Sequence, residues 1–192
     1  MKKLTSWPVL IGTTIILIAT LAFTIMNRLG SFKPVVIEHQ TKAGPYLLLS
    51  RDHLGPYHKI ADVISQVEAW ARTQGEPCTL TFGEYMDNPD NTDEDRLRSR
   101  GGCIISTAEK ADELKKNLPE GTTVSSIEFG DVLYAVFEGS PAIGPQKVYP
   151  KAFEQMSALD LRSSGPVFEI YEVVSPTQGR TRYLFPVESA WK

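Results

Sequence analysis

From Pro45 onward the apolar positions switch between two periods. Pro45-Tyr-Leu-Leu-Leu-Ser50 is a near-continuous apolar run of strand length, closed by Gly55-Pro56. Ile60, Val63, Ile64, Val67, Trp70 and Ala71 then recur at the spacing of one helical face, and Gly75 and Pro77 end that stripe. Leu80-Thr-Phe-Gly-Glu-Tyr85 predicts a strand, Asp87-Asn-Pro-Asp90 a turn, and Leu97 to Ser106 the returning strand. The same order recurs downstream. Val132 to Glu138 predicts a strand, and Gly144-Pro145 breaks it. Val148, Ala152, Phe153, Met156 and Leu159 predict a helix with Pro150 in its first turn. Val167 to Val174 and Thr181 to Val187 predict a final hairpin around a turn at Ser175 to Gly179.

Two local matches fall in the same order in both segments. Gly55-Pro56 before the first helical stripe corresponds to Gly144-Pro145, and Arg98-Ser-Arg100 corresponds to Arg180-Thr-Arg182. A duplicated strand–helix–strand–strand unit is therefore expected, with halves at about 35–106 and 122–188. Between them Ser106-Thr-Ala-Glu109 has the form of a capping box opening a short polar helix through Leu118.

A different pattern precedes all of this. Val9 to Met26 carries no charged residue, with Lys2 and Lys3 before it and Arg28 and Lys33 after it. As a helix it would rise about 27 Å, close to a hydrocarbon core of about 30 Å. Trp7 stands where an interfacial aromatic would. The rival reading is a cleaved signal peptide, but Thr20-Leu21-Ala22 is a poor processing site and lies inside the apolar run. The expectation is an uncleaved single-pass anchor at 9–26, with a tail at 1–8, a linker at 27–34, one domain at 35–188 and a C-terminal tail at 189–192. The flanking charges are too nearly balanced to orient it, so the side of the membrane is left open.

Composition narrows the function classes. The chain has 192 residues, 42% of them hydrophobic, and a formal net charge of −3, so nothing global favours nucleic acid as a partner. His39, His53 and His58 lack the spacing of a helical metal pair, and no metal or cofactor is expected. Asp87, Asp90, Asp93, Glu94 and Asp95 crowd one loop without the glycine and terminal glutamate of a hand-type calcium site, so a solvated turn is expected there. Cys78 and Cys103 lie on the two strands of one predicted hairpin; whether they pair is left open, with two buried thiols preferred.

Four motifs in order then carry a resemblance. Gly55-Pro56, Tyr85-Met-Asp-Asn-Pro89 with Leu97-Arg98, Tyr134-Ala135-Val136, and Phe168-Glu169-Ile170-Tyr171 resemble the GyrI-like family, named for a bacterial DNA gyrase inhibitor. The resemblance covers about residues 35 to 188. It implies an α+β fold: a duplicated βαββ domain in which two main helices pack on a curved antiparallel sheet, with a small-molecule cleft near the duplication axis. An N-terminal transmembrane helix before such a domain is similar to the family's membrane-anchored branch, which includes a testis-expressed endoplasmic-reticulum autophagy receptor. That receptor's long tail has no counterpart before Lys192, so its autophagy activity is not expected here.

Glu169 stands out chemically. Alternation puts Val167, Glu169, Tyr171 and Val173 on one strand face. Residue chemistry alone leaves a solvent-facing Glu as the default; the resemblance implies a ligand-pocket Glu in this strand. The expected ligand-binding set is Glu169, Tyr171, Tyr134, Tyr85, Tyr57 and Trp70, although Trp70 also continues a core stripe. The reading is a membrane-anchored domain capturing a lipophilic or cationic small molecule. The alternatives are a hydrolase of strained or ester-like compounds using Glu169 with Tyr134, and a membrane-tethered adaptor for a protein partner that the sequence does not name.

Overall fold

The computed structural model describes residues 7–175 and 178–191. Its first element is α1, Trp7–Arg28, which buries none of its residues against the rest of the chain. By length and composition it is able to cross a membrane, as core helices and signal sequences also are. The remainder is α+β, with the strands β1 (Ile37–Gln40), β2 (Ala43–Leu54), β3 (Leu80–Tyr85), β4 (Arg98–Ile104), β5 (Thr122–Phe129), β6 (Val132–Glu138), β7 (Leu161–Ser163), β8 (Val167–Ser175) and β9 (Gln178–Ser189). The helices are α2 (Ile60–Thr73), preceded by a 3-10 turn at Tyr57–Lys59, the short α3 (Ala108–Leu114) and α4 (Gly144–Ala158).

One antiparallel sheet runs β1-β6-β9-β8-β3-β4-β2-β5, with β7 added to β9. From its centre outward the order is β3-β4-β2 on one side and β8-β9-β6 on the other. The helices cover one face. α2 sets Val67 and Ala71 against Leu49 and Cys103. α4 sets Val148, Ala152 and Met156 against Leu133, Ala135, Phe137, Tyr183 and Phe185. Each fully buried Val or Met of these stripes contributes about 1.5–3 kcal/mol relative to exposure.

The other face is buried without a helix. Ile37 pairs with Ala135 and Gln40 with Val132; in the same register Ala43 pairs with Phe129. β1–β2 and β5–β6 are thus two bent strands of one continuous ribbon, and the ribbon's two ends are the two ends of the sheet. A bulge between Ala43 and Tyr46 bends it. Tyr46 stacks on Phe168 at 6.0 Å and Phe129 tilts against it at 5.3 Å, so the bend lies over the sheet's centre. Phe82, Ile170, Leu184, Leu48 and Val132 complete this second core.

Three expectations need correction. Pro150 does not lie in the first turn of its helix; α4 starts at Gly144 with Pro145 at its beginning, and Pro150 is inside. A proline there removes one i→i−4 bond, which the burial of the α4 stripe outweighs. The cap of α3 is Thr107, whose hydroxyl accepts from Lys110 N; Ser106 is engaged by the buried Glu76 instead, its Oγ donating at 2.9 Å. Cys78 and Cys103 are not two thiols but a disulfide. Cys78 lies just before β3 at a positive φ of 49°, which brings its Cα to 5.4 Å from that of Cys103.

Candidate functional site

The two central strands meet with Gly83 opposite Glu169. β8 puts Glu169 and Tyr171 on the helix-covered face. Register across β9 places Tyr183 directly beside Glu169. β3 contributes Tyr85 to the same face, and α4 lowers Tyr149 onto it from above. Gly83 leaves the room this requires: a Cβ there would stand 3.0 Å from the Tyr85 hydroxyl and 3.1 Å from that of Tyr171.

Glu169 is 3% exposed. Tyr149 donates to its Oε1 at 2.7 Å and Tyr171 donates to its Oε2 at 3.1 Å. The Tyr85 and Tyr171 hydroxyls are 2.7 Å apart. Since Tyr171 has one proton and spends it on the carboxylate, Tyr85 is the donor of that pair. Tyr57 extends the cluster outward, its ring edge-on to Tyr85 at 4.9 Å and its hydroxyl donating to Asp87 O at 2.7 Å. The Tyr183 hydroxyl is buried with no hydrogen-bond partner among the described residues.

The electrostatics follow from burial. Desolvation pushes the Glu169 carboxyl up from 4.5 to about 7, against the two tyrosine hydrogen bonds that favour its charged form. Burial first, and then the Glu169 charge, raises Tyr149, Tyr171, Tyr85 and Tyr183, so all stay protonated. No basic side chain forms an ion pair with Glu169 among the described residues. Glu84, buried on the adjacent strand but on the opposite face, differs in this respect: the Arg100 guanidinium lies 2.8 Å away. Glu169 is therefore a buried carboxylate whose counter-charge is not supplied by its neighbours.

The structure brings Glu169, Tyr171, Tyr85 and Tyr57 together. It does not bring Tyr134 or Trp70 to them. Tyr134 pairs with Leu184 and so faces the ribbon side of the sheet, near Arg182, Glu38 and Glu172. The pairing of Tyr134 with Glu169 expected for a hydrolase is ruled out by strand parity, which sends neighbouring residues to opposite faces. Trp70 packs on the far side of α2, against the cluster around the disulfide. Tyr149 and Tyr183 were missing from the expected set. Tyr183 was legible, since a hairpin turning at 175–179 places it on the face of Glu169. Tyr149 adjoins the core position Val148, and only the depth at which α4 sits reveals it.

The tyrosines themselves occupy the space around the carboxyl. Two cavities lie elsewhere. One of about 460 Å³ is lined by Asp52, His53, Leu54, Met86, Arg98 and Arg100. One of about 190 Å³ is lined by Arg51, Gln66, Trp70 and Thr122. No grouping of His, Cys, Asp and Glu among the described residues has metal-binding geometry.

Comparison with known proteins adds the following. No family model matches the chain. It is 30% identical over 78 residues to DNA gyrase inhibitor 2 of Dickeya dadantii (strain 3937), a match covering 40% of this chain and 41% of that protein. The chain thus spans less than half the length of the curated relative it matches. Its fold is similar to the crystal structure of the EcmrR C-terminal domain, with a TM-score of 0.55 and 9% identity, over 81% of this chain and 98% of that one. It is also similar to EcmrR in a cryo-EM complex with DNA, with a TM-score of 0.56 and 13% identity, over 98% of this chain and 74% of that one. An uncharacterized conserved protein from Listeria innocua shares the fold at a TM-score of 0.50 and 15% identity, over 79% of this chain and 92% of that one. The gyrase-inhibitor match supports the GyrI-like resemblance, and the EcmrR likeness supports the fold. Support for the membrane-anchored branch is not among these relatives.

Proposed function

We propose that this chain is a membrane-anchored, GyrI-like small-molecule-binding protein whose ligand is a lipophilic cation held at Glu169. The observation that carries the reading is a carboxylate 3% exposed, ringed by Tyr149, Tyr171, Tyr85 and Tyr183, with hydroxyl donors and no cation. A ligand cation supplies the missing charge. Ring faces add about 0.5–2 kcal/mol of cation–π attraction once desolvated. The tyrosines that now fill the site are its stand-ins: Tyr149 enters from α4 and turns aside as the ligand arrives. The mirrored order β3-β4-β2 and β8-β9-β6 supports a duplicated βαββ domain with this site on its axis. The apolar α1, ending in Arg28, supports the anchor. In this reading the partners are a bilayer and a small ligand, not nucleic acid.

The test is calorimetry on the full chain in detergent micelles with tetraphenylphosphonium and a neutral aromatic of similar size. Selective binding of the cation, abolished in Glu169→Gln with the fold intact, is expected. Equal binding of both compounds, or an unchanged affinity in the variant, refutes the assignment.

A second reading is favoured by one observation. The Glu169 carboxyl lies near 7 with Tyr149 at 2.7 Å, a pair suited to general acid–base work on a strained ring or ester. Turnover of such compounds by the wild type, lost in both Glu169→Gln and Tyr149→Phe, distinguishes it from binding alone.

A further inference from the structure

The segment joining α1 to the sheet is docked along its length. Gly30, with φ +85°, closes α1: Ser31 N donates to Met26 O at 3.0 Å and Gly30 N to Asn27 O at 3.1 Å. The turn after β6 then receives this end. Ser140 N donates to Leu29 O at 3.0 Å, and Lys147 of α4 donates to Ser31 O at 2.6 Å and also to Lys33 O. The chain next doubles back, so that the Phe32 ring lies 5.2 Å from that of Phe23. Phe23 is three residues inside the uncharged segment, about 4.5 Å along the helix from its end. Phe32 is therefore level with the last turn of the span, and 55% exposed there.

The neighbouring β8–β9 hairpin lies at the same junction. Gly139 N donates to Gly179 O at 3.0 Å, and Gly179 pairs across the hairpin with Val173. Beyond that pair β8 continues outward. Val173 is 83% exposed and Val174 48%, on a strand whose inner residues Phe168 and Ile170 are fully buried. Apolar side chains so exposed, beside the end of an uncharged helix, have one solvent that suits them. Arg28 and Lys33 bracket the junction in sequence, at the depth where lipid phosphates would lie, and Lys33 also pairs with Glu138 at 3.5 Å.

We propose that the domain rests directly on the phospholipid bilayer that α1 crosses, with Phe32 and the Val173–Val174 tip of the β8–β9 hairpin entering the interface on either side of the junction. This rests on the anchor reading given above and adds a second, peripheral contact. α4, which brings Tyr149 to Glu169, also carries the lysine that grips the junction, so the binding site is held at a fixed height above the lipid.

The test uses the full chain in phosphatidylcholine–phosphatidylglycerol vesicles. Its only two cysteines form the disulfide, so Val173→Cys accepts a single environment-sensitive fluorophore. The label is expected to shift to the blue, to lose most of its intensity to doxyl groups placed near the lipid headgroups, and to resist aqueous iodide. A label at Glu109→Cys, exposed on α3, should behave oppositely. Val174→Cys repeats the measurement at a second position. Iodide quenching at 173 and 174, in vesicles that retain the protein through alkaline extraction, overturns the docking and leaves the anchor standing. Shielding from both quenchers means a protein covers the tip, and overturns it as well. Loss of the protein on alkaline extraction removes the anchor and the docking together.

Discussion

Replacing Glu169 by glutamine is expected to stabilise the protein above neutral pH and to leave it nearly unchanged in acid. The carboxyl moves from 4.5 in the unfolded chain to about 7 in the folded one. Between those values the folded chain holds a proton that the unfolded chain has released, so stability falls as pH rises through that window. Below it both states are neutral and the group contributes nothing; above it the full cost of a buried, unpaired charge is present. At about 1.4 kcal/mol per pH unit the interval corresponds to roughly 3 kcal/mol. Glutamine keeps the size and an acceptor for Tyr149 but has no charge to lose or gain. Urea unfolding of both forms in micelles, followed from about pH 4.5 to about pH 8, should therefore show their difference growing by roughly 3 kcal/mol in favour of Glu169→Gln. Other titrating groups, Glu84 among them, cancel in that difference. A flat difference means that Glu169 titrates alike in both states and is not desolvated. A difference of opposite sign means that its charged form is the stabilised one, and that a cation already sits beside it. A cationic ligand should reverse the slope for the wild type, since it binds the ionised form and its affinity should rise through neutral pH.

Tyr149→Phe removes a hydrogen bond to the charged carboxylate, so the Glu169 transition should move to higher pH, readable by carboxyl infrared difference spectra; no movement would sever α4 from the site. Gly83→Ala adds a methyl 3.0 Å from the Tyr85 hydroxyl and 3.1 Å from that of Tyr171; it should part this pair and weaken cation binding with little loss of stability, by calorimetry and melting. Breaking the disulfide by Cys78→Ala with Cys103→Ala opens a 25-residue separation and should cost about 2–4 kcal/mol in urea unfolding, with the α2 side affected first. Gly139→Ala would set a Cβ 2.6 Å from Leu29 O, and should free the junction, seen as faster proteolysis at residues 29–36 while the sheet stays protected.

Much of this fold is written in periodicity. The helix at 60–73 follows from apolar spacing because it has one buried face and one wet one; the strands at 80–85 and 132–138, covered on both faces, follow from short apolar runs between turn residues. β1 and β5 do not. Thr122-Thr-Val-Ser-Ser-Ile-Glu-Phe129 has little alternation to read, since β5 is an outer strand whose ladder partner, not its side chains, holds it in place. Tyr171 was legible beside Glu169 because parity along a strand is local information, and Tyr85 because the internal repeat sets β3 and β8 in equivalent places. Tyr134 was misplaced for the complementary reason: which face of β6 meets the helices depends on its register with β9, which no feature of Val132 to Glu138 encodes. The disulfide was illegible because it depends on the positive φ of Cys78, a conformation that cysteine rarely adopts.

The ribbon of β1–β2 with β5–β6 has a consequence for how the molecule is made and unmade. Each of its strands is an inner strand at one end of the sheet and an outer strand at the other, so neither segment of the chain completes its own half. A polypeptide cut between residues 106 and 122 should yield two pieces that are insoluble apart and regain structure only when mixed. Unfolding should follow suit as a single concerted event, with amides of β3 and β8 exchanging with deuterium at the same rate as those of β2 and β6.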